Sequence, residues 1–105
     1  SPVTDTVLVV IKSLSPAIIT NGDVWPLGSL LTYDLVSHQA NTTYNIELVK
    51  GSTTKSLPAL STDPDGNSTA SGSYLIPNDG SVAPGVWTIR SLHSISGTVA
   101  ATRTL

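Results

Sequence analysis

Cysteine, methionine and phenylalanine are absent from this 105-residue chain. Without cysteine there is no disulfide framework and no thiolate metal site, and nothing marks the redox compartment. Charge is scarce too: 11% of residues are charged, against roughly a quarter in average proteins. The five cations are scattered and the net charge is −2, so no basic track exists to follow a phosphate backbone, and nucleic-acid binding is not expected. No apolar run approaches the ~20 residues of a membrane span, so no membrane insertion is expected either. A Gly-rich phosphate loop and a Gly-x-Ser-x-Gly nucleophile elbow are both missing. No leader is visible; a chain that starts at Ser1 and contains no Met is what a mature, processed protein or an excised piece is expected to show.

What is present is hydroxyl. Serine and threonine are abundant, and a surface covered by hydroxyls rather than charges stays soluble and repels little. That composition is closer to secreted surface proteins than to cytosolic enzymes. The length is that of one domain over residues 1–105, with a single modest core.

Apolar residues alternate with hydroxyl and β-branched ones, and Gly, Pro, Asn and Asp clusters interrupt them every eight to twelve residues or so. No segment carries a convincing helical period. Strands are expected at residues 6–11, 15–19, 30–36, 43–50, 55–60, 69–76, 86–92 and 98–105. The spacing predicts Leu31, Tyr33 and Leu35 on one buried face, then Tyr44, Ile46 and Leu48, then Tyr74 and Ile76, then Trp87 and Ile89. Pro16 and Pro58 assign their segments to sheet edges, because proline has no N–H for a central ladder. The expected fold is therefore an all-β sandwich of about seven to nine antiparallel strands.

The succession Tyr44-Asn-Ile-Glu-Leu48, Thr62-Asp-Pro-Asp-Gly-Asn67, Tyr74-Leu-Ile-Pro77 and Ala83-Pro-Gly-Val-Trp-Thr-Ile89 resembles the immunoglobulin-like domains of bacterial and archaeal cell-surface proteins. In that family a strand ends at an Asp/Gly/Asn turn, the next ends in Ile-Pro, and Pro-Gly before an aromatic opens another. The resemblance runs from about Gly28 onward; Asp23-Val-Trp-Pro-Leu-Gly28 has no counterpart in it. It implies an immunoglobulin-like sandwich and a role among stalks, spacers, adhesins and fibre subunits, a range too wide to choose a function.

Asp63, Asp65 and Asn67 alternate around Gly66, a spacing that can begin a calcium loop. Six to eight oxygens are needed, usually closed by a bidentate carboxylate, and only Ser68, Thr69, Ala70, Ser71 and Gly72 follow. Pro64 and Gly66 fit a strand-linking turn, which is the stronger reading. Asn41-Thr42-Thr43 and Asn67-Ser68-Thr69 are N-glycosylation sequons in expected loops, so Asn41 and Asn67 are candidate acceptors. His38 and His93 belong to no catalytic spacing and read as ordinary polar residues at sheet margins; no cofactor, no metal and no enzymatic activity are expected. Trp25 stands in a Pro/Gly-flanked loop. It either folds over the end of the sandwich or offers its plane to a glycan or a receptor.

Val7, Leu8, Val9, Val10 and Ile11 form a run apolar on both faces. Such a strand is either buried within its own sandwich or exchanged into the sheet of a neighbouring copy. Taken together, these features predict a non-enzymatic extracellular structural module or subunit of a microbial surface structure or filament. Its partners would be other copies of itself or adjacent surface modules. The alternative is an adhesion module binding carbohydrate or a receptor, or a virion decoration protein.

Overall fold

Along residues 30–36, leucine and tyrosine alternate with threonine and aspartate, and an extended chain sends such neighbours to opposite faces. In the structure, a computed structural model that describes residues 15–22 and 24–105, Leu31, Tyr33 and Leu35 are completely buried. The expected first strand, with Val7, Leu8, Val9, Val10 and Ile11, lies outside the described residues.

Seven strands form two antiparallel sheets: β1 (Ala17–Thr20), β2 (Leu30–Val36), β3 (Thr43–Lys50), β4 (Thr53–Ser61), β5 (Gly72–Leu75), β6 (Thr88–His93) and β7 (Val99–Thr104). The order is β1-β2-β5 in one sheet and β4-β3-β6-β7 in the other. No helix occurs among the described residues. Tyr44, Ile46 and Leu48 of β3 and Ile89 of β6 meet the β2 leucines across a shared apolar interior, which makes the fold a β-sandwich. The period-two expectation therefore holds for both sheets, and Trp87, just ahead of β6, is buried with them.

Registers explain two local features. Tyr44 pairs with Leu60 but Ile46 pairs with Leu57, so β4 carries an extra residue at Pro58-Ala59. This bulge lies on an edge strand, where a proline costs no ladder bond. It turns the Pro58 carbonyl toward the core, where it accepts the Tyr33 hydroxyl at 2.7 Å. Burial raises that phenol to about 12. The second feature is Gly72, which pairs with Tyr33 across β2 and β5. A Cβ at Gly72 would fall on the Tyr33 ring, so the absent side chain is what lets this large residue lie flat at the centre of the sheet.

On the outer face of the second sheet, Glu47 and Arg90 are direct cross-strand partners and form an ion pair at 2.7 Å. Both are partly exposed, so the pair contributes less than about 1 kcal/mol.

Candidate functional site

The strands run between two dissimilar ends. At one, β1 begins opposite Val36, and His38, the 62–68 loop and the β6–β7 hairpin gather. At the other, the loops 24–29 and 76–87 meet the ends of β3 and β7. We call them the His end and the Trp end.

The His end is a closed network. The 62–68 loop is a turn that satisfies itself: Asp65 N–H and Asn67 N–H both donate to Asp63 Oδ1, at 2.9 and 3.0 Å, and Gly66 N–H donates to the Asp63 carbonyl. The Asp63 carboxylate thus caps its own loop, a geometry typical of aspartate in turns. Gly66, at φ 83°, lies so close to His38 that a Cβ would overlap the His38 carbonyl oxygen, while its own carbonyl accepts His38 N–H at 2.9 Å. Asn67 Oδ1 accepts Ser37 N–H, and Ser68 trades bonds with Leu35 in both directions. No cluster of three or more His, Cys, Asp or Glu residues suited to a metal exists among the described residues. The thermal midpoint is therefore expected to be the same in millimolar calcium as in chelator, and a clear rise with calcium would show a site this turn does not provide.

His38 lies in the loop just past β2, at the sheet margin expected for it, but is fully buried there, with Nδ1 2.8 Å from the Val36 carbonyl and Nε2 2.8 Å from Ser91 Oγ. A carbonyl can only accept, so Nδ1 carries the proton and Nε2 accepts from the Ser91 hydroxyl. Burial holds the His38 pKa below its usual value, against the opposing pull of the Val36 carbonyl. Ser91 is itself completely buried, so this serine–histidine pair is a tie between the 38 loop and β6 that no substrate can approach. Tyr44 lies edge-on between both imidazoles, 4.7 Å from His38 and 5.9 Å from His93. His93 Nδ1 faces the N–H groups of Ile95 and Ser96 and closes the β6–β7 hairpin. Asn41 and Asn67 are both exposed at this end.

The Trp end is open and apolar. Trp25 is half-buried and packs against the core, its Nε1 donating to Asn21 Oδ1 at 2.9 Å. Asn21 also receives Thr32 N–H and donates to the Leu30 carbonyl, so the Trp25 loop is fastened to β2. Trp87 Nε1 donates to the Ala83 carbonyl, and Lys50 Nζ to the Pro84 carbonyl, which fixes the opposite loop. Between them lies a cavity of about 450 Å³. Leu31, Leu48 and Ile76 form its floor, the segments 24–27 and 82–85 its walls, and Trp87 and Leu105 complete it. None of the described residues lining it has an ionisable side chain. Val24 and Val86 stand at or beside its rim, 85% and 65% exposed.

Periodicity could identify Trp87 and Ile76 as inward, and the Pro/Gly flanks could mark Trp25 as a loop residue. The cavity itself needs the 24–27 and 82–85 loops side by side, and no spacing in the sequence encodes that. The His38–Ser91 bond joins residues 53 apart and is equally silent in the sequence. No protein-family model, curated protein or solved structure matches the chain.

Proposed function

We propose that this chain is a non-enzymatic structural module of an extracellular surface structure or filament, associating through strand and loop contacts with copies of itself or with adjacent surface modules. One observation carries this reading: the cavity at the Trp end is lined by predominantly apolar side chains, none of them ionisable, and opens beside exposed valines. A space of that kind receives apolar side chains, and no ionisable side chain among its described lining residues points to acid–base chemistry. Polar groups elsewhere are consumed in holding loops together, as at Asp63, Asn21 and His38.

Three further features support it. The three-plus-four strand order is compatible with an immunoglobulin-like sandwich. The exposed hydroxyl-rich surface and the net charge of −2 let neighbours approach without strong repulsion. Asn41 and Asn67, the candidate glycan acceptors, are both at the His end, away from the apolar opening. An adhesion module would need a free aromatic plane beside polar groups, whereas the Trp25 ring belongs to the apolar wall and its N–H is engaged. Sedimentation velocity over a wide concentration range tests the proposal. Association that grows with concentration is expected, and a chain that stays monomeric at millimolar concentration would count decisively against it.

A further inference from the structure

The two ends differ in a way that defines an occupant for the cavity. β1 runs from Ala17, opposite Val36, to Thr20, opposite Tyr33, and so points from the His end toward the Trp end. The chain therefore enters the sandwich at the His end, and 14 residues precede Ser15 in the sequence. The cavity is at the opposite end. Building on the structural role above, we propose that the segment Val7-Leu8-Val9-Val10-Ile11 of one copy seats in the Trp25/Trp87 cavity of the next, joining copies head to tail.

Chemistry and dimensions match. Five consecutive apolar residues, in extended form about 16 Å long, carry greasy side chains on both faces and need both covered. At the home edge, β1 already packs against β7, so a strand laid outside β1 would cover one face at most. The cavity can take one set of alternating side chains. Its volume of about 450 Å³ lies within the range of ligand pockets and well above the roughly 150 Å³ apolar void that accepts a benzene. The other set meets Val24, Leu27 and Val86, all exposed. Lys12-Ser13-Leu14 remains as a connector between the seated run and the sandwich that supplies it. Because the chain enters β1 at the end opposite the cavity, a copy that docks in this way still presents its own cavity to the next. The contact is heterologous, and it propagates.

Two full-length variants test this. Val9→Asp places a carboxylate in the donor run and leaves the cavity intact. Val24→Asp with Leu27→Asp charges the rim, at exposed positions the fold tolerates, and leaves the donor intact. The wild-type chain is expected to give a concentration-dependent ladder of oligomers in sedimentation velocity. Each variant alone should associate at least roughly a hundredfold more weakly, since its buried carboxylate lacks a partner. Mixing the two should restore a single 1:1 complex that grows no further, with a blue shift of tryptophan emission, because Trp25 and Trp87, the two tryptophans of the chain, both line the cavity. A mixture that stays monomeric overturns the head-to-tail assignment. Oligomers that persist in both variants also overturn it while leaving the structural role in place, and a wild-type chain that never associates removes both.

Discussion

Replacing Gly72 by alanine is expected to lower the unfolding free energy by about 3 kcal/mol, the upper part of the range for overpacking a close-packed interior. A methyl group there would enter the Tyr33 ring. The ring has little freedom to yield: it is completely buried, and its hydroxyl is held by the Pro58 carbonyl of the opposite sheet. Urea unfolding measures the loss. The cause is isolated by a double-mutant cycle with Tyr33→Leu, which shortens the side chain and should return part of the lost stability to the Gly72→Ala protein. A Gly72→Ala chain as stable as wild type, or strictly additive losses, would mean that this close approach does not limit the packing. Tyr33 also sets an alkaline limit. Its phenol is pushed up to about 12 from 10.0, so its contribution is complete below pH 10 and is lost as pH rises toward 12.

The second large effect belongs to His38. His38→Ala should cost about 3 kcal/mol, because it opens a void under the 38 loop and strands the buried Ser91 hydroxyl. Acid should act through the same residue. The folded state holds His38 neutral, with a pKa below 6.5, while the unfolded chain titrates at its ordinary value. Between those two values the unfolded state binds the extra proton, so stability is full above about pH 6.5 and declines as pH falls toward the folded pKa, by at most ~1.4 kcal/mol per pH unit. Urea midpoints measured at pH 7.5 and pH 5 should differ for the wild type, and the part of the difference due to His38 should vanish in His38→Ala. An unchanged pH dependence in that variant would show that the imidazole is not the group responsible.

These two sites show where reading the sequence succeeds and where it stops. Leu31, Tyr33 and Leu35, or Tyr44, Ile46 and Leu48, declare their shared face by alternation, because burial in a sheet repeats every second residue. Pro58 declares an edge by the donor it lacks, and β4 is an edge strand, though it extends beyond the expected 55–60 to Thr53–Ser61. The turn at Asp63 to Asn67 is equally local, since its bonds close within five residues. Gly72 gives no such notice. It falls inside the expected strand 69–76 with nothing to mark it, and only the register that sets it against Tyr33 reveals the packing reason. The burial of His38 is hidden for a related reason: its loop neighbours are polar, and the serine that makes its burial tolerable is on a strand far along the chain. The apolar cavity is illegible in the same sense, as the product of two loops that meet only once both sheets have formed.

The bulge at Pro58 has a consequence beyond the core bond it supports. On the outer strand β4, Pro58 offers no N–H outward, and Lys55 sits opposite Leu48, on the face that turns inward. A flat ribbon of another molecule laid along this margin would find a missing rung, a local twist and a cation that must be desolvated. The sheet resists being widened, so stacking into amyloid-like layers is discouraged along this flank.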